Sequence, residues 1–310
     1  MEQIRADAQE RATTRLVEPG DPPERTLTDA PSAVSPQACA TCGAPVVPDN
    51  GAPVAPHFVY AIGRLEARFP RASVEREFAQ ATGRAATTGL TDRQALQKVL
   101  SQRENRYLVR QLCWVLTIGG LETYLLVPRD PGDVELLVEA LRATPSPMDL
   151  DCVIGVKGPI APPEMCNGLM VPLAIFDQIY SFDRETLIKA IPKPEKMAAK
   201  DFGPMAAELF DRILQMTDNA GATNEHRALN YLAVRYPAIY ATAADAFARN
   251  ASLTAVDVVL SPLSGVRTVV DVVFSYTNRT TDVVEKFMVR VDVTEEFPFL
   301  VTKLSPYVDR

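Results

Sequence analysis

Two alternating segments near the C-terminus constrain this chain more than anything else in it. Val270, Val272, Phe274 and Tyr276 occupy every second position, with Asp271 and Ser275 between them. Phe287, Val289, Val291 and Val293 repeat the pattern against Lys286, Arg290 and Asp292. A period of two places alternate side chains on one face of a strand, whereas a helix would scatter them. The turn-rich YTNRTTD between the segments makes them an antiparallel hairpin with one buried face. LTAVDVVL just upstream predicts a third strand.

The period changes before that hairpin. DRETLIKAI reads as a helix stopped by Pro192, and GPMAAELFDRILQMTDN as a helix with Pro204 at its start. TNEHRALNYLAVRY runs to Tyr236, where Pro237 either kinks it or opens the next helix, AIYATAADAFARN. The first half mixes both kinds of element. Phe58, Tyr60 and Ile62 alternate in a strand ended by Pro70, and SVEREFAQATG is a short helix with Gly83 near its end. LTDRQALQKVLSQREN is a helix whose N-cap is Thr91, with Gln94 completing a capping box and Leu90 as staple. CWVLTIGGLETYLLV gives two strands joined at Gly119–Gly120. Val134, Leu137, Val138 and Leu141 have helical spacing, and CVIGV and LMVPLAIF fit buried strands. Strands do not alternate regularly with helices. The predicted class is therefore α+β, with a mixed or antiparallel sheet, a helical middle and a C-terminal β-meander.

With 310 residues, 47% of them hydrophobic, the chain can bury a full core. Residues 1–55 are rich in Pro, Ala, Thr and charge and read as a disordered leader, leaving 56–310 as the folded domain. A net charge of −7 gives no global reason to bind nucleic acid or an anionic membrane. No apolar run is long enough to span a bilayer, and the polar N-terminus lacks the apolar core of a secretory signal. Five cysteines, a sparse and odd number, fit a reducing cytoplasm with free or metal-bound thiols in place of a disulfide framework.

Cys39-Ala-Thr-Cys42-Gly43 has the shape of a zinc knuckle, since this spacing lets two thiolates meet one tetrahedral ion. A closed structural zinc site needs two further ligands. Cys166 is the first choice and Cys152 the next; His57, Cys113 and His226 complete the candidates, although Cys113 beside Trp114 reads as core. A redox dithiol and two idle, solvated thiols are the competing readings of the same pair. No nucleophile elbow or phosphate loop is present, and SPLSGVR does not make one. Lys189, Lys193, Lys196 and Lys200 form a solvated face or a surface for an acidic peptide; Asp149 and Asp151 solvate a turn sooner than hold a metal. The loop in GPIAPPEMCNGLMVP is stiffened by Pro162–Pro163 and freed at its ends by Gly158 and Gly168. A pre-shaped loop between two buried strands is a usual place for a binding site, and Glu164 and Asn167 are predicted to line a peptide-binding surface there.

Long strings carry a family resemblance: YAIGRLEARFPRASVEREFAQATGR, LTDRQALQKVLSQRENRYLVRQLCWVLTI, GLETYLLVPRD, GPIAPPEMCNGLMVP, FDQIYSFD, RALNYLAVRYPAIY and VRVDVTEEFPFLVTKLSPY. From Tyr60 to the C-terminus the chain resembles the domain of unknown function at the C-termini of the cyanobactin maturation proteins PatA and PatG. That family is also similar in placing a CxxC just upstream. The resemblance implies a place in the maturation of ribosomally made, modified peptides. It implies neither proteolysis nor macrocyclisation, because only the leader stands before the domain. The expectation is a non-catalytic accessory protein that binds a precursor peptide or a pathway enzyme. The alternatives are a peptide-modifying enzyme with Glu164, Cys166 and Asn167 near its site, and a structural module that forms a homodimer.

Overall fold

The computed structural model describes residues 57–84, 87–192, 199–216 and 218–308. The predicted leader, with Cys39 and Cys42, lies outside the described residues. The class is α+β, as the patterning predicts.

The first half builds a closed barrel. Its strands are β1 (Phe58–Arg68), β2 (Cys113–Ile118), β3 (Leu121–Pro128), β4 (Asp149–Ile160) and β5 (Pro172–Asp183). Three helices interrupt β1 and β2: α1 (Ala72–Arg84), α2 (Asp92–Leu100) and α3 (Arg106–Gln111). A fourth, α4 (Val134–Ala140), separates β3 from β4. The barrel order is β1-β2-β3-β5-β4, with β3 and β5 parallel and every other pair antiparallel. This order, with a helix between β3 and β4, is that of an OB-type barrel. Strand β1 pairs with β4 through Phe58–Gly63 and with β2 through Arg64–Arg68, so one strand closes the barrel on both sides.

The barrel interior holds Val59, Ala61, Leu65, Leu116, Tyr124, Val153 and Phe176, capped by α1–α4. The alternate residues Tyr60 and Ile62, with Cys152 and Ile154 of β4, are also buried, against Leu214 and Tyr231 of the helical layer. That layer comprises α5 (Arg184–Ala190), α6 (Ala199–Leu214), α7 (Asn224–Arg235) and α8 (Ala238–Ala248). It is followed by a four-stranded antiparallel sheet in sequential order: β6 (Ala251–Leu260), β7 (Val269–Asn278), β8 (Val284–Asp292) and β9 (Phe299–Tyr307). Val270, Val272, Phe274, Tyr276, Val289 and Val291 pack with Phe210, Leu229 and Tyr240 of the helices.

Several elements depart from the sequence reading for identifiable reasons. The capping box on Thr91 and Gln94 forms, but α2 ends at Leu100, with Ser101 as its cap, instead of reaching Asn105. Asn105 instead turns its amide back to the Val99 carbonyl at 2.9 Å. Pro204 lies inside α6, not at its start, since the helix begins at Ala199. Pro237 opens α8. The polar face of β7 is not open to water: Asp271 and Ser275 are each 5% exposed. Arg290, directly opposite Asp271 in the register, donates to its carboxylate at 2.9 Å. Strand β9 was not read from the sequence; it holds Pro306, which is tolerated because β9 pairs with β8 alone, as an edge strand.

One polar joint ties the helical layer to the barrel. The Tyr60 amide donates to the Gly221 carbonyl at 2.8 Å. Asn230 of α7 donates to the Tyr60 carbonyl at 2.8 Å and, like Asn219, is buried. The two asparagine amides also exchange hydrogen bonds at 2.8 and 3.1 Å, and Asn219 donates to the Ile213 carbonyl at 3.0 Å. Tyr124 of β3 donates its hydroxyl to the Ala220 carbonyl at 2.9 Å. Gly221 has φ +70°, and a Cβ there would meet the Tyr60 carbonyl oxygen and lie 2.6 Å from Ala61 Cα. Asn230→Ala leaves a buried carbonyl and a buried amide unsatisfied, at a cost of about 1–3 kcal/mol for each group. Chemical denaturation should show that loss, and Gly221→Ala should lower the melting temperature as well. Unchanged stability in both variants would mean that this joint does not hold the two layers together.

Candidate functional site

The hairpin of β4 and β5 is closed at its base by the Ala161 amide, which donates to the Val171 carbonyl at 2.9 Å. Between them the chain makes a compact excursion. Pro163–Met165 form one 3-10 turn, with the Met165 amide donating to the Pro162 carbonyl at 3.0 Å. The Gly168 amide donates to the Pro163 carbonyl at 2.7 Å, and Leu169 to Cys166 at 2.9 Å. Asn167 (φ 47°) and Gly168 (φ 87°) stand at the centre of that last turn, both left-handed, as a type I′ turn requires. Asn-Gly is the sequence signal for this turn.

The loop is also held covalently. Cys166 is disulfide-bonded to Cys113, the first residue of β2, with a Cα–Cα separation of 5.6 Å. Both cysteines are buried with Val115, Leu125 and Ala161. This differs from the expectation of thiols without disulfides. It also bears on zinc, because a disulfide sulfur offers no thiolate to a metal. The sequence could not reveal the pair, since 53 residues separate its members.

The tethered loop forms one wall of a groove of about 470 Å³. Glu164 and Met165 face it from the loop, Pro70 and Arg71 from the start of the β1–β2 connection, and Arg110 and Gln111 from the end of α3. Val127 and Pro131 supply apolar surface, backed by Trp114, Leu125 and Val134, which are themselves buried. The Trp114 indole N–H is already donated to the Val109 carbonyl at 2.9 Å, so what the indole contributes is apolar. Glu164 and Asn167 thus play different parts. Glu164 lines the groove, whereas Asn167 shapes the turn and is not among the lining residues. The groove lies between the β1–β2 and β4–β5 connections, the two that flank the ligand face in OB-type barrels.

The remaining ligand candidates are dispersed. Cys152 is fully buried in β4, and burial pushes its thiol up to about 12. His57 precedes β1, and His226 lies in the first turn of α7. Among the described residues no three His, Cys, Asp or Glu side chains are grouped to hold a metal ion. Asp149 accepts from the Ser146 amide at 2.6 Å and pairs with Arg142. Asp151, buried, accepts from the Leu65 amide at 2.9 Å and the Ser181 hydroxyl at 2.6 Å. Both are braces of the fold.

The sequence reading missed a second titratable cluster. Arg129, just past β3, bonds Asp177 of β5 at 2.7 Å and Glu296 of the β8–β9 connection at 3.2 Å. Beside them Arg227 of α7 donates to the Val293 carbonyl at 2.7 Å and stacks on Phe58, 5.2 Å from the ring centre. Burial, and then the facing Asp177 carboxyl, push Glu296 up to about 7. These groups come from four distant parts of the chain and leave no linear signature.

Comparison with known proteins places the domain. Residues 196–307 match the family described as PatG C-terminal. No curated protein matches the chain. A solved structure titled "PatG Domain of Unknown Function" superposes with a TM-score of 0.65 at 20% sequence identity, over 81% of this chain and 98% of that one. The resemblance read from the sequence is thereby shown, and the fold is that of a PatG-type domain.

Two measurements probe this region. Closing a loop of 53 residues should contribute about 4 kcal/mol through the unfolded state. Reduction, or Cys113→Ser with Cys166→Ser, should therefore lower the denaturation midpoint, whereas an unchanged midpoint and all five cysteines titrating as thiols in the unreduced, denatured chain would show that the bond does not form. For Glu296, the raised folded value means a stability contribution present below about 4.5 and lost as pH rises through about 7. Against Glu296→Gln, the wild type should lose ground between about pH 5 and about pH 8. Parallel stability curves would refute the assignment.

Proposed function

We propose that this chain, built on a PatG-type domain, is a non-catalytic accessory protein in the maturation of ribosomally made, cyanobactin-like peptides. It holds an extended peptide, either the precursor or a segment of a pathway enzyme, in the groove beside the Pro162–Gly168 loop. The observation that carries this reading is the groove itself: an apolar floor at Val127 and Pro131 over the buried Trp114 and Leu125, a carboxylate at Glu164, and guanidinium groups at Arg71 and Arg110. Peptides present that mixture of apolar side chains, amide donors and charges. The loop is fixed at both ends and by the disulfide, so little ordering is needed on binding. The position between the two connections that flank the OB ligand face supports the reading as an analogy.

Two subsidiary proposals go with it. Cys39 and Cys42, outside the described residues, hold a structural zinc, whose remaining ligands come from elsewhere than the Cys113–Cys166 disulfide. The second is that the protein works in the cytoplasm, although the Cys113–Cys166 disulfide is of a kind more usual in oxidising compartments. Elemental analysis of protein purified without added metal should give about one zinc per chain, lost in Cys39→Ser with Cys42→Ser.

Calorimetry with the cognate precursor peptide tests the main proposal. Glu164→Ala should weaken binding by about 1.5–3 kcal/mol through loss of a hydrogen bond to a charged group. Asn167→Ala should weaken it through the turn, because alanine tolerates positive φ poorly. If both variants fold and bind as the wild type does, the loop is scaffold and the site lies elsewhere.

A further inference from the structure

The groove sits in a part of the molecule whose charge opposes that of the whole. Residues 71–110, which carry α1–α3, contain eight basic side chains (Arg71, Arg76, Arg84, Arg93, Lys98, Arg103, Arg106 and Arg110) and only four acidic ones, in a chain of net charge −7. Elsewhere the arginines are largely spent. Arg68, Arg129, Arg142, Arg184, Arg249, Arg267 and Arg290 all pair with carboxylates. Arg71 and Arg110 are exposed, face the groove, and have no ion-pair partner among the described residues. Two uncommitted guanidinium groups beside an apolar floor specify a ligand: an apolar side chain for the floor, with carboxylates next to it for the rim.

We infer that the groove selects an acidic peptide segment, in which apolar and acidic residues alternate so that extended chain sends the former to the apolar floor at Val127 and Pro131, over Trp114, and the latter to Arg71 and Arg110. This rests on the peptide-groove reading and names the class of peptide. Extended backbone sends successive side chains to opposite faces, so alternation delivers both kinds of group at once. Glu164, the carboxylate in the lining, accepts a peptide N–H and disfavours a ligand carboxylate beside it.

Trp114 is the chain's one tryptophan and lines the groove, so its fluorescence reports occupancy directly. The probes are four: a capped Leu/Glu alternating decapeptide, its Leu/Gln and Leu/Lys counterparts, and an oligothymidylate of similar length. Titration of the full chain should show the Leu/Glu peptide binding about tenfold tighter than Leu/Gln, with the difference shrinking as salt rises. The double variant Arg71→Gln with Arg110→Gln should erase that difference, bringing the Leu/Glu affinity down to that of Leu/Gln. Equal affinity for Leu/Glu and Leu/Gln, or preference for Leu/Lys, overturns the acidic class and leaves the groove reading standing. Tighter binding of the oligothymidylate overturns the peptide in favour of a polyanion. No change in Trp114 emission with any probe overturns both the class and the groove.

Discussion

The peptide group of Tyr60 is the point on which the two halves of this molecule meet. Over Val59–Ile62 strand β1 is buried on both faces, Val59 and Ala61 filling the barrel and Tyr60 and Ile62 covered by helices. A strand in that position cannot satisfy stray backbone groups with water, so each must find a protein partner. Gly221 takes the Tyr60 amide and Asn230 takes the carbonyl. Helix α7 is placed on the barrel by those bonds, and α6 and α8 are packed around α7 in the C-terminal core. The C-terminal sheet follows, because the apolar faces of β7 and β8 need that layer to cover them.

The groove depends on the same rigidity from the other side. A loop carrying Glu164 can present it in one place only if both its ends and its middle are fixed. The Ala161–Val171 pair fixes the ends, the Asn167–Gly168 turn folds it back, and Cys113 ties it to β2. The wall opposite comes from a long connection that a minimal barrel would not have, and this insertion brings the basic charge. The barrel supplies position, and the insertion and the loop supply chemistry.

Local order was legible in the sequence because local forces set it. The capping box at Thr91, the hairpin at Gly119–Gly120 and the alternation in β7 and β8 depend on neighbours within a few residues, and each forms. The loop at Pro162–Gly168 was legible as a pre-shaped loop, and Glu164 as a residue on it, for the same reason. What distant residues decide was not legible. The alternating pattern of β7 suggested one covered face, but tertiary packing covers both. Barrel closure, the Cys113–Cys166 bond and the Arg129 cluster each join segments whose meeting no spacing records. Cys166 shows the difference most clearly: its sequence neighbours suggest a ligand, and its spatial neighbour makes it half of a disulfide.

The bond from Asn230 to Tyr60 spans 170 residues, and it sets an order of assembly. During synthesis the barrel strands emerge well before α7. At roughly 5–20 residues per second, the outer face of β1 waits on the order of ten to thirty seconds for its cover. In the last part of that interval, once β4 and β5 have emerged, Tyr60 and Ile62 stand bare beside Cys152 and Ile154 of β4, as an apolar surface on a barrel otherwise able to close. A nascent chain in that state is a client for a holding chaperone. A variant that delays α7, such as one weakened at Thr223, whose hydroxyl caps the helix, would lengthen the wait and lower yield without altering any contact in the finished barrel.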